Sequence, residues 1–262
     1  GRKPQVLLSW AQSPGLHFRG LPGFGFHFSS GAMSSPVSFP FQGRAAHDCS
    51  DSSSYSKQST MLIAGAGGHA IELLDILLAE GKVSDPVFYD DLTTITNLYC
   101  FRVLKSEEEA RSFLSNNPEF LLGTGNPTVR RMFYNKFTAW GGQHQSIKGR
   151  GIAFSNFTQS NEADIFNLCF IGANTQIGRG TLINTGAQIH HDVRVGEFSE
   201  INPGAVLLGA CRIGDACSIG ANATILPKVR IGDRVTVGAG SVVTQDVPDG
   251  VTVVGVPGRI II

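Results

Sequence analysis

Residues 183–201 read Ile183-Asn-Thr-Gly-Ala-Gln-Ile189-His-His-Asp-Val-Arg-Val195-Gly-Glu-Phe-Ser-Glu-Ile201, with an aliphatic residue at every sixth position. Steps of six from Ile165 also land on Ile171, Ile177, Leu207, Ile213, Ile219, Ile225, Ile231, Val237 and Val243. The position four further on is almost always small, as at Thr175, Thr181, Ala187, Ser199, Ala205, Cys211, Cys217 and Ala223, and the residue after the aliphatic one is often Gly. An α-helix repeats every 3.6 residues and a strand every two, so neither produces this spacing. Hexads of this kind build a triangular parallel β-helix: each makes one flat face, the aliphatic residue points inward, and the small residue fits beside the corner. Three hexads complete a coil, and each strand hydrogen-bonds to the strands above and below it. The β-helix domain is placed at 143–262, with the repeat itself over about 150–257. Cys211 and Cys217 fall on the small inward position and read as core filler.

Upstream, residues 61–142 alternate between strand and helix. Met61–Ala64 is a short apolar strand running into Gly65-Ala-Gly-Gly-His-Ala70. Ala70, Leu73, Leu74, Leu77 and Leu78 then fall at helical spacing, with Gly81 as the stop. Val87–Tyr89 is a second strand, with Asp90 and Asp91 at its end. Ser106-Glu-Glu-Glu is a capped helix start, Phe120–Leu122 a third strand, and Asn126-Pro127 opens a further helix. The pattern predicts a small βαβαβ unit with a parallel sheet. The expected fold is therefore an α/β, Rossmann-like mononucleotide-binding domain followed by a left-handed parallel β-helix of hexapeptide repeats. Residues 1–60 are rich in Gly, Pro, Ser and Phe without periodicity, and are expected to be a disordered or non-native leader, with Met61 as the natural start. A Phe-containing arm packing on a neighbouring subunit is the alternative.

The 262 residues contain 21 Lys+Arg against 21 Asp+Glu, which argues against a nucleic-acid-binding or electrostatic membrane-binding surface. Five cysteines without a CxxC pair point to free thiols in a reducing compartment. There is no apolar run of about 20 residues and no signal-peptide pattern, so a cytoplasmic location is expected.

The repeat changes character at His190-His191-Asp192, where Gly is usual at position 190. An imidazole beside a carboxylate can serve as a general base, the carboxylate fixing its tautomer and stabilising the imidazolium. Adjacent residues on an extended segment point to opposite sides, so the two histidines are poorly placed to share a metal, and none is expected. Solvated turn residues are the plain alternative. Glycines between strand and helix let a phosphate approach the helix N-terminus, so Gly65-x-Gly-x-x-Ala70 with Asp90-Asp91 could also be a dinucleotide fingerprint. Some eighty residues, however, make only one mononucleotide-binding half.

The stretch 183–200, the ending Val254-Gly-Val-Pro-Gly-Arg259 and the start Met61–Ala70 together resemble the sugar acyltransferase family of hexapeptide-repeat enzymes. That family includes sialic-acid O-acetyltransferases and UDP-4-amino-sugar N-acetyltransferases of bacterial glycan biosynthesis. The resemblance implies His191 as base, Asp192 as its supporting acid and Asn184 near the acceptor. It also implies Glu200, Ala221 and Ala239 along the coenzyme A groove, although some members carry His where this chain has Glu200. Gly67, Gly68 and His69 would lie near the phosphates or sugar of the acceptor, and Asp90, Asp91 and Gly125 near its nucleoside. The implied reaction is direct transfer from acetyl-CoA, without an acyl-enzyme, to the amino group of a nucleotide-linked amino-sugar. Sialic-acid O-acetylation, a non-enzymatic β-helix scaffold and a nicotinamide-dependent enzyme are the rival readings. Because the coenzyme groove needs a neighbour to close it, a homotrimer is expected.

Overall fold

The computed structural model describes residues 60–160 and 162–261. The expected leader therefore lies, apart from Thr60, outside the described residues. The first part contains β1 (Leu62–Ala64), α1 (Gly68–Ala79), β2 (Val87–Tyr89), β3 (Asn97–Leu98), β4 (Phe101–Leu104), α2 (Glu107–Asn116), β5 (Glu119–Leu122), α3 (Pro127–Ala139) and β6 (Gln143–His144). The sheet runs β3-β4-β2-β1-β5-β6, parallel throughout except for the β3–β4 hairpin. Alternate residues of β1 enter different cores: Ile63 packs with α1, whereas Leu62 and Ala64 pack with α2 and α3. The capping box at Ser106 and the Asn126 cap with Pro127 at the first helical turn form as expected.

The βαβαβ expectation omits β3, β4 and β6. The hairpin turns at Tyr99-Cys100, with Tyr99 at φ +54°, and has no Gly, Asn or Asp to signal it. The two-residue β6 is too short to show alternation, and the expected boundary at 142 falls in the turn before it.

The second part is a left-handed parallel β-helix with three faces. Face 1 carries Asp164, Leu182, Glu200, Ser218 and Thr236 outward; face 2 carries Phe170, Gln188, Val206, Thr224 and Val242; face 3 carries Gln176, Arg194, Arg212 and Arg230. From Ile165 to Val243 paired residues differ by 18 on all three, as Ile171 with Ile189 or Ile177 with Val195, while the first coil is one residue shorter and the last is two shorter. Every aliphatic residue of the six-step series is buried.

Two features of the corners explain the rest of the hexad. One residue per hexad takes a left-handed conformation, at every sixth position from Glu162 to Gly240, Asp192 among them at φ +61°. The small residue is also a donor: Thr175, Thr181, Ser199 and Cys217 each hydrogen-bond to the carbonyl fifteen residues on, in the next coil. These bonds satisfy corner carbonyls that strand pairing leaves over. Cys169 does the same to Asn184.

The α/β part lies on face 1. Phe166 and Leu182 of the β-helix join the apolar core beneath α1. Beside them Arg130 on α3, fully buried, donates to Gly180 O (2.8 Å), Leu122 O (2.9 Å) and Thr124 O (2.7 Å), and to Asp164 Oδ2 (2.6 Å). The second Asp164 oxygen accepts from Ile147 N–H. No helix among the described residues is long and apolar enough to cross a membrane.

Candidate active site

β1 lies between β2 and β5, so a crevice opens at their C-terminal ends, where ligands bind in open α/β sheets. Gly65 (φ +96°) packs against Thr124, where a Cβ would lie 2.7 Å from a methyl. Gly67 and Gly68 are exposed with open space above them. Gly67 caps α1 without a side-chain bond, leaving first-turn N–H groups free for an anion. Asp90 uses both carboxylate oxygens on local backbone: Oδ2 accepts from Ala66 N–H, and Oδ1 from Leu92 and Thr93 N–H. It thus holds the glycine turn to the end of β2, while Asp91 accepts from Tyr89 Oη.

His69 stacks flat on Phe166 with centroids 4.9 Å apart, and its buried Nε2 has no hydrogen-bond partner. Burial, reinforced by the nearby Arg130 charge and opposed by Asp164, lowers its pKa to about 4, so the ring is neutral at pH 7. Glu200 closes this side of the crevice, its carboxylate filling the space where a Cβ on Gly125 would stand. Burial raises the Glu200 pKa, opposed by Asn202, Arg130 and Ser218. The structure thus brings Gly67, Gly68, His69, Asp90, Asp91 and Gly125 to one edge of the sheet and adds Glu200 to them. Glu200 stands apart from Ala221 and Ala239, which stack on the corner between faces 1 and 2. Its outward position on face 1 points it at the α/β part instead.

Asn184 occupies the same corner as Ala221, nearly buried, its side chain accepting from Thr185 N–H. His191 is one corner further on, between faces 2 and 3, beyond the strand Gln188–Ile189. Its Nδ1 lies 2.8 Å from Asp192 Oδ2, and Asp192 Oδ1 accepts from Asn174 Nδ2 at 3.2 Å. The bond to His191, then that to Asn174, holds the Asp192 carboxyl below its usual pKa. With Nδ1–H committed to the carboxylate, Nε2 presents its lone pair outward as a proton acceptor. His190 instead turns toward the Phe170 ring.

Two members of this corner escaped the sequence reading. Asn174 is 18 residues before Asp192, one coil below it, and the repeat length alone would have found it. Gly209, 18 after His191, has room for a side chain only if the imidazole moves: a Cβ would lie 2.6 Å from both its Cε1 and Nε2. Among the described residues, no group of three or more His, Cys, Asp or Glu is placed to hold a metal ion.

Residues 60–137 match the PglD N-terminal domain, and 174–209 and 210–245 match the bacterial transferase hexapeptide (six repeats). The acetyltransferase domain of PglB from Neisseria gonorrhoeae, solved with acetyl coenzyme A, is 28% identical with a TM-score of 0.72, covering 78% of this chain and 100% of its own. PerB from Caulobacter crescentus, solved with CoA and GDP-perosamine, is 26% identical with a TM-score of 0.68, over 79% and 100%. WeeI from Acinetobacter baumannii shares the fold at 23% identity and a TM-score of 0.60, over 78% and 100%. None of the curated protein sequences compared with the chain matches it. The fold and the hexapeptide-repeat match define an acyltransferase of the hexapeptide-repeat type. The chain belongs to the sugar acetyltransferases that join a PglD-type N-terminal domain to this β-helix.

Proposed function

We propose that the chain transfers the acetyl group of acetyl-CoA to the amino group of a nucleotide-linked amino-sugar, of the UDP-4-amino-sugar type, with His191 as general base. The observation that carries this is the His191–Asp192 pair at 2.8 Å, with Nε2 free at an exposed corner. The amine attacks the thioester carbonyl while His191 Nε2 takes its proton. The tetrahedral intermediate then expels the coenzyme A thiolate, to which the imidazolium returns the proton. Direct transfer fits the thiols of the β-helix: Cys169, Cys211 and Cys217 are buried, and burial raises Cys169 to about 11 and Cys211 to about 12.

The crevice supports the acceptor class. Free helix N–H groups at Gly67 and Gly68 suit a diphosphate, and the Glu200 carboxylate disfavours the carboxylate of sialic acid. In one chain this crevice opens over face 1, whereas His191 stands at the corner between faces 2 and 3. The reading therefore requires a homotrimer, in which the corner bearing Asn184, Ala221 and Ala239 meets the His191 corner of a neighbour. The outward Phe170, Val206 and Val242 of face 2 give such a neighbour an apolar seat.

Acetyl transfer is tested by mass spectrometry across UDP- and GDP-linked amino-sugars and sialic acids, with light scattering for the assembly. His191→Ala is expected to lower kcat by about 10²–10⁴, the usual worth of a general base, with acetyl-CoA affinity little changed. Asp192→Asn should cost less and His190→Ala least. Turnover of sialic acid but of no nucleotide-linked amino-sugar, or full activity in a monomer, would reverse the reading.

A further inference from the structure

Face 3 differs from the other two. Its outward column reads Gln159, Gln176, Arg194, Arg212, Arg230 in strict pairing. Adjacent coils are about 4.8 Å apart, so three exposed guanidinium groups are stacked one above another. Like charges directly opposite each other destabilise a sheet. Six other arginines, Arg102, Arg130, Arg131, Arg150, Arg179 and Arg234, have carboxylate partners, but these three have none among the described residues. The carboxylates at the flanking corners are engaged elsewhere: Asp192 with His191, Glu197 with Arg179, Asp215 with Arg131. Asp246, above Arg230, accepts from its backbone N–H. A shallow groove of about 440 Å³ runs along this face past Gln159, Gln176, Arg194 and Arg212.

The basic run starts in the coil of His191 and climbs two coils toward the C-terminus, about 10 Å. Below it the column is neutral. Arginine binds phosphate through a planar fork of donors, and a stack of forks suits several phosphates along an extended molecule. We propose that Arg194, Arg212 and Arg230 form a phosphate-binding ladder, and that its ligand is the adenosine 3′-phosphate and diphosphate of the acyl donor. This rests on the reading of the chain as a coenzyme A-dependent acetyltransferase. Nucleotide phosphate is also present in the acceptor, but that diphosphate has its own glycine turn, over face 1. The ladder adjoins the corner where His191 would meet the thioester.

The test is the triple variant Arg194→Gln, Arg212→Gln, Arg230→Gln, studied in the full chain by steady-state kinetics and by calorimetric titration with coenzyme A. Charged hydrogen bonds of this kind set the expected scale: the acetyl-CoA KM and the coenzyme A Kd should rise at least about tenfold, with kcat within about twofold. S-acetyl-pantetheine, which lacks the phosphates, should show the same KM with both proteins. Unchanged donor KM and Kd, a rise confined to the acceptor KM, or loss of the assembled state would each overturn the ladder. Wild-type protein that bound no coenzyme A would end both the ladder and the reading beneath it, whereas binding indifferent to the triple change would end the ladder alone.

Discussion

Arg130→Ala tests how the two halves of the molecule are held together. The side chain is fully buried and makes four hydrogen bonds, three to carbonyls and one to the equally buried Asp164. Its removal leaves Asp164 with only the Ile147 N–H as partner, and strips a donor from Leu122, Thr124 and Gly180. Breaking a buried pair by deleting one partner costs about 3–5 kcal/mol, chiefly because an uncompensated charge stays buried. For a chain of this size each kcal/mol moves Tm by about 2–4 °C, so the midpoint should fall by about 6–20 °C. Urea and thermal melts followed by circular dichroism measure this directly. The double variant Arg130→Met, Asp164→Leu should recover most of the loss, since no charge is left unpaired. Because Arg130 anchors the loop carrying Thr124 and Gly125, Arg130→Ala should also raise acceptor KM more than donor KM. A loss below about 1 kcal/mol in the single variant, or a double variant as unstable as the single, would refute the uncompensated-charge account.

Gly209→Ala should lower kcat by about 10–100-fold, because the new methyl displaces the His191 ring from Asp192. The Gly209 backbone is not left-handed, so Tm should stay within about 3 °C, and full activity in this variant would show that the ring needs no such space. His69 predicts an acid-labile component of stability. Its folded pKa of about 4 lies below the ordinary 6.5, so the unfolded chain binds the proton more readily. That stability is complete above about pH 6.5 and falls away toward pH 4, by up to about 3 kcal/mol. His69→Gln should lack this part of the pH dependence, and superimposable wild-type and variant stability curves would contradict the assignment.

The period of six made the β-helix legible because every hexad repeats the same demand, an aliphatic residue inward and a small one at the corner. The α/β part was legible where capping chemistry is local, at Ser106 and Asn126. It was not legible at the Tyr99-Cys100 hairpin, where a left-handed Tyr stands without a turn residue. The His191–Asp192 pair could be read because its partners are neighbours in sequence. Glu200 could not be placed, since its contact with Gly125 depends on how the α/β part sits on face 1. Arg130 and Asp164, 34 residues apart, carry no local pattern that announces a buried clamp.

The offset of 18 between stacked residues, held from Ile165 to Val243, makes the β-helix a rotary ruler. Six residues inserted after Ser199 would turn everything downstream by one face, so that Arg212 and Arg230 would no longer stand over Arg194. A change of one residue within a strand would send the aliphatic row to the surface, whereas corners absorb one or two residues, as in the shorter first and last coils. Eighteen residues would raise the downstream chain by one rise and restore every azimuth. Between Ile165 and Val243, where every coil has 18 residues, the angular layout is kept by whole coils. The pitch between His191 and whatever binds further up the column is set in steps of about 4.8 Å.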